Sequence, residues 1–330
     1  MSSLRREVLH DTSLGMSGVF RPLQKGARGK LDVETKWGKA ALRWRGPDQL
    51  GIGDQSLLFA VLEEAGEQLL LARDKAVATS ADALWPLLAH QNDVFVADTV
   101  RITTTFSRLA IGSGWNDGGS SIERVRAGLR RMTETTVWVR IQTDNGEFLE
   151  GSSRLLGWQL SEGLMIVLLV NWRLGQALRG SQYSKISLHE RYSLDGEIAQ
   201  SLHALFSCKV NYASAWACHL DKLQVHIWGN AAEGGNLRAR RSRMRKALEA
   251  IGKLHGWGVS FTANVARITR GTIRTKFGQS SNTPRRSVVS VTAEHCENLE
   301  SSQRASSTEQ KVRYDEFVPC VDVSKLFAKN

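Results

Sequence analysis

The chain has 330 residues, 42% hydrophobic and 23% charged, which is enough apolar material for a packed core and enough length for two domains. Lys and Arg outnumber Asp and Glu by 44 to 33, for a formal charge of +11 and a pI of about 9.7, and this balance favours a polyanionic partner. The most apolar run, Leu164–Val170, falls far short of the roughly 20 residues that cross a bilayer, and the opening Met-Ser-Ser-Leu-Arg-Arg-Glu lacks the apolar core of a signal peptide. No membrane partner is expected, and a cytoplasmic location is.

In chain order, residues 1–30 read as a basic N-terminal arm with little core of its own, carrying Arg5, Arg6, Arg21, Lys25, Arg28 and Lys30. Leu31, Val33, Trp37, Leu42 and Trp44 suggest a short hairpin turned at Gly38. Leu57, Leu58, Val61 and Leu62 place one apolar face on a helix over Asp54–Ala65. Thr79-x-x-Asp82 resembles a capping box ahead of Ala83–Ala89, although Pro86 sits inside that segment. Val100–Thr104 is expected as a strand and Thr105–Ile111 as a helix ending at Gly112-Ser113-Gly114.

Ser120-x-x-Glu123 is a second capping box, opening a helix with Ile122, Val125, Leu129 and Met132 inward. Ser120, Ser121, Arg124 and Arg131 of that helix are candidates for a secondary DNA contact or a dimer face. Strands Val137–Gln142 and Phe148–Leu160 follow, turned by Asp144-Asn145-Gly146, a hairpin signal. Leu164–Val170 adds a third strand. Helix, turn, helix, hairpin is the order of a winged helix, so 31–170 reads as one such domain.

The order recurs over 171–270. Trp172–Leu178 and Asp195–Lys209 read as helices, Lys185–Leu188 and Ser214–Cys218 as strands, and Leu220–Trp228 as a short helix before a Gly229–Gly235 turn. Asn236 is placed to cap the next helix, which Gly256 ends. Trp257–Phe261 and Val265–Thr269 form a closing hairpin. The fold class is therefore α+β, with two tandem winged-helix domains. Residues 271–330 carry nine Lys/Arg against seven Asp/Glu among frequent Ser and Thr. They read as a largely disordered polar tail with short elements at Val288–Val291 and Phe317–Phe327.

The helix over 236–254 concentrates the chemistry. At about 100° per residue, Met244, Leu248 and Ile251 fall within roughly 40° of Leu237 and make a buried stripe. Arg238, Ser242 and Arg245 occupy the first turns of the opposite face, where a recognition helix touches bases. Arg240, Arg243 and Lys246 suit backbone phosphates, and Arg241 flanks the stripe. Arg267 and Arg270 of the hairpin are expected to reach the adjacent groove or its phosphates. The bland alternative for such a helix is a solvated basic face.

Catalytic patterns are missing. The sequence holds no GxxxxGK[ST], HExxH or GxSxG, and no His-x-His beside a tyrosine. Cys208, Cys218, Cys296 and Cys320 form no CxxC pair, and Cys208, Cys218 and His219 with His203 lack common zinc spacing. No enzyme activity, cofactor or metal is expected.

Several segments are similar to one family. They are Gly18-Val-Phe-Arg-Pro-Leu-Gln-Lys-Gly-Ala-Arg with Lys30-Leu-Asp-Val, Gly46-Pro-Asp-Gln-Leu-Gly51, Leu194-Asp195 through Leu205, and Arg238–Leu248 with Gly256-Trp257. Over about 18–270, interrupted around 67–115, the chain resembles the RepC replication initiators of IncQ-type broad-host-range plasmids. The resemblance implies tandem winged helices that bind directly repeated iterons in a plasmid origin. It further implies opening of an adjacent AT-rich duplex without a nucleotide cofactor, and recruitment of plasmid helicase and primase. A dimeric winged-helix repressor on a palindromic operator is the alternative.

Overall fold

The structure is a computed structural model and describes residues 6–23, 26, 28–72, 99–143, 145–161 and 165–271. The Thr79 capping box, the Ala83–Ala89 segment and the tail beyond residue 271 lie outside the described residues.

Two apolar clusters organise a mixed α and β fold. The first is built around α2 (Ile52–Ala72), whose Leu57, Leu58, Phe59, Ala60, Val61 and Leu62 are all buried. The helix is buried all round from Asp54 to Leu62, as a segment inside a core must be, while Glu67 further along is exposed. The same cluster takes in β3 (Leu31–Trp37), β4 (Ala40–Gly46), β7 (Thr136–Gln142) and β8 (Phe148–Arg154), which form one antiparallel sheet in the order β3-β4-β7-β8. Leu31, Val33, Leu42, Trp44, Val137 and Val139 alternate onto its buried face. A second sheet orders β6 (Val100–Thr105), β10 (Met165–Val170) and β9 (Leu156–Leu160) as β6-β10-β9. Its central strand β10 is buried from Ile166 to Val170, as a strand covered on both faces must be. Helices α3 (Phe106–Gly112) and α4 (Gly119–Glu134) complete this half, with Val125, Leu129 and Met132 of α4 inside.

Two expectations for this half change, and one is extended. The predicted strand over Phe148–Leu160 is two strands in two different sheets. It breaks at buried Leu155, whose N–H bonds to Thr135 O and whose carbonyl receives Asn171 N–H. The hairpin expected over 31–45 forms, with Gly38 in its turn, and β4 also pairs with β7 on its other edge. The Ser120 capping box does not form: α4 begins at Gly119 behind Gly118, with no side-chain cap.

Residues 6–23 of the expected N-terminal arm are not free of the core. Strand β1 (Glu7–Asp11) pairs antiparallel with β11 (Tyr183–Ser187), matching Glu7 with Ser187 and Asp11 with Tyr183. Asp11 caps α1 (Thr12–Met16) by accepting Leu14 N–H at 2.7 Å. β2 (Phe20–Arg21) then pairs parallel with β5 (Leu50–Gly51). Apolar residues between the basic ones, namely Val8, Leu14, Val19 and Phe20, are fully buried, and this is why the segment is drawn into the core.

The first apolar cluster runs on past residue 170. α5 (Trp172–Leu178), β11 and the start of α6 (Leu188–Tyr192) give Trp172, Leu174, Ile186 and Leu188 to the first cluster, and the second begins at Leu194. There α7 (Glu197–Lys209), α8 (Leu220–Trp228) and α9 (Gly234–Gly252) pack on a sheet ordered β12-β14-β13, made of Ser214–His219, Val265–Arg270 and Trp257–Thr262.

The two clusters meet at α6. Arg191 is fully buried, lies 4.9 Å from the Phe59 ring centroid, and donates to Gln200 O at 2.8 Å and Ser56 Oγ at 3.3 Å. Burial pushes its pKa down to about 10. Its neighbour Glu190 accepts Trp257 Nε1–H at 2.9 Å and shares a 3.0 Å hydrogen bond with His203 Nε2. Burial alone would raise the Glu190 pKa, but these two hydrogen bonds hold it below the ordinary value.

Candidate nucleic-acid interface

α9 is where charge is densest. Met244, Ala247, Leu248 and Ile251 are buried at helical spacing and dock it on the second cluster. Its start is set by the turn before it. Gly229 ends α8 in the left-handed region at φ 79°, its N–H bonding Val225 O at 2.8 Å. A Cβ at Gly229 would also collide with the Arg21 guanidinium.

The arginines of α9 divide by partner. Arg241 makes a two-pronged pair with Asp221 in the first turn of α8, at 2.8 and 2.5 Å, and holds that carboxyl below its usual pKa. Arg240 donates to Asn230 O at 2.9 Å and Asn230 Oδ1 at 3.1 Å while lying over the Trp228 ring. Arg245 donates to Ala263 O and to Asn264 Oδ1 and stacks on Phe261 at 4.9 Å. These three side chains therefore bolt α9 to α8, to the preceding turn and to the tip of the β13–β14 hairpin.

What remains outward is narrower than the sequence suggests. Asn236, Arg238, Ser242, Arg243 and Lys246 are exposed, and none has a side-chain partner among the described residues. Glu249 and Lys253 are exposed further along. Asn236 is not the cap: the helix starts at Gly234 behind Glu233, so Asn236 lies inside the first turn.

Arg270 requires a correction. It is 6% exposed, sandwiched between Tyr212 at 4.0 Å and Trp257 at 4.9 Å, and donates to Ser207 O, Val210 O and Tyr212 Oη. It sits in register with buried Ala266 and Ile268, on the inward face of β14, so it has no access to DNA. Arg267 alternates to the exposed face between Ala217 and Ser260, opposite the face on which α9 packs.

The α4 candidates also separate. Ser120 and Arg124 are exposed and Ser121 half-buried. Arg131 is largely taken: its side chain is 16% exposed and its Nη2 donates to Asp54 Oδ1 at 2.6 Å. Arg28, which read only as part of a basic arm, reaches the same carboxylate at 2.8 Å. Nothing local in the sequence signals that meeting, because the two residues are joined only by the fold. Among the described residues no group of three or more His, Cys, Asp or Glu could hold a metal, and no helix is long and apolar enough to cross a membrane.

Known proteins place the fold and then the family. Domains 2 and 3 of RctB, crystallised as a selenomethionine derivative, share the fold at a TM-score of 0.50 and 11% identity, over 78% of this chain and 98% of that one. A second crystal structure of RctB domains 2–3 aligns at a TM-score of 0.48 and 10% identity, over 78% and 96%. Among curated proteins none matches. Residues 3–272 match the family model for replication protein C, and the chain belongs to the replication protein C (RepC) family. Its role is in the initiation of DNA replication, and DNA is its partner.

Proposed function

We propose that the chain initiates replication of a plasmid by binding directly repeated origin DNA, the iterons, through α9. The order α8, Gly-rich turn, α9 and β13–β14 hairpin supports a winged-helix reading of the second cluster, with α9 in the major groove. The observation that carries the proposal is the division of charge on this helix: Arg240, Arg241 and Arg245 fix it rigidly, while Arg238, Ser242, Arg243 and Lys246 stand free on one face. Rigid presentation lowers the entropy lost on binding. Arg238 and Ser242, nearer the N-terminus, are assigned to base edges, and Arg243 and Lys246 to phosphates. Copies bound side by side strain the DNA, and that strain favours melting of flexible TA-rich steps nearby, where a helicase and primase then load. Self-association into dimers belongs to the same reading.

The test is binding to duplexes carrying the origin repeats and to scrambled duplexes. Arg238→Ala should erode the preference for repeats by about 1–3 kcal/mol. Arg243→Ala should weaken both duplexes alike and lower the salt slope by about one. Unchanged preference in Arg238→Ala, or protection of a single palindrome instead of direct repeats, would sink the assignment.

A further inference from the structure

A cleft on the first cluster holds positive charge that α9 does not account for. Its floor is Asp54, 3% exposed, in the first turn of α2. Asp54 Oδ2 accepts Gly51 N–H and Arg28 Nη1–H, each at 2.8 Å, and Oδ1 accepts Arg131 Nη2–H at 2.6 Å. A third guanidinium, Arg124, leaves α4 seven residues before Arg131 on the same face and stacks 4.3 Å above the Trp115 ring. It has no carboxylate partner among the described residues. Gly53 opens the wall of the cleft: a Cβ there would stand 3.2 Å from Arg124 Nη2 and 3.6 Å from Trp115. Glu197 lines the other side and accepts Leu23 N–H at 3.2 Å.

We propose that this cleft seats a single phosphate of the DNA backbone, with Arg124 as its main ligand and Arg28 and Arg131 presented by Asp54. A guanidinium has five N–H donors. Asp54 and the Gln49 carbonyl engage only part of those on Arg28 and Arg131, so donors remain for a second anion. Trp115 holds the Arg124 plane in place, which reduces the freedom lost when it binds. Charge selects the source. Three guanidiniums against two carboxylates leave one positive charge, which a phosphodiester neutralises. A phosphate monoester carries roughly −1.5 to −2 at neutral pH and would leave uncompensated negative charge beside Asp54 and Glu197. The site rests on the reading that the chain binds duplex DNA, but not on α9 being the reader.

The experiment measures duplex binding by the full chain across a series of KCl concentrations for wild type, Arg124→Ala, Arg124→Lys and, as a comparator, Arg238→Ala. Arg124→Ala should reduce the slope of log K against log[salt] by about one and weaken repeat and scrambled duplexes equally, while Arg124→Lys keeps most of the slope. Wild-type slope and affinity in Arg124→Ala overturn the proposal while leaving the α9 reading intact. A wild-type chain that binds no duplex overturns both. Titration with inorganic phosphate, read as a thermal shift, supplies the last arm. A shift present in wild type and lost in Arg124→Ala, with the DNA slope unchanged, assigns the cleft to free phosphate and overturns the DNA source.

Discussion

Arg270 shows how far a guanidinium's surroundings decide its work. Replacing it with Ala would strand the Ser207 and Val210 carbonyls and empty the space between Tyr212 and Trp257. Arg270→Ala should therefore cost about 2–3 kcal/mol, seen as a lower urea midpoint, and leave the sequence preference of the folded fraction unchanged. A variant with wild-type stability and altered preference would restore Arg270 to the DNA interface. Residue type and charge density were legible in the sequence, so the basic helix and its stripe were found. Partners were not, because they come from distant parts of the chain. Arg131 meets Asp54 across 77 positions and Arg270 meets Ser207 across 63. Spacing within one segment carries no record of such meetings.

Among elements, α9 and its hairpin behave as one body because Arg245 grips the turn between β13 and β14. Arg245→Ala should free that tip, so amide exchange at Ala263 and Asn264 should accelerate while exchange within α9 stays slow. Affinity for DNA should fall without a change in which base is preferred. Unaltered exchange at the tip would show that the hairpin strands hold themselves. Most elements of the second cluster could be read locally. Gly229 marks a helix end, and Thr262-Ala263-Asn264 separates two β-rich runs. The first cluster resisted such reading for a physical reason: β4 keeps its hairpin partner β3 but takes β7 on its other edge, and β8 and β9 enter different sheets. Nothing in a period-2 pattern states which strand a strand will join.

For the whole molecule, two histidines, His10 fully buried and His226 half-buried, tie stability to pH. His10 and His226 both have a pKa lowered from 6.5 to about 4, first by burial, with Arg191 adding to the effect at His10 and Arg21 at His226. The unfolded chain takes up these protons below pH 6.5 while the folded chain does not until about pH 4. Their contribution is thus intact above 6.5 and lost as pH falls towards 4. Each should cost about 2 kcal/mol between pH 7 and pH 5. Urea titrations at the two values check this, and His10→Leu should remove one share of the loss, since neither ring nitrogen has a partner to leave behind. An unchanged loss in that variant would contradict the neutral, buried state of His10. The closure of the N-terminal strand β1 on β11 has a further consequence, in time instead of space. The ribosome releases Glu7–Asp11 long before Tyr183–Ser187, so β1 must wait, unpaired, until the middle of the sequence has been made. A nascent chain stopped before residue 183 leaves that edge open to other chains. The first core therefore closes only after residues 183–187 have emerged.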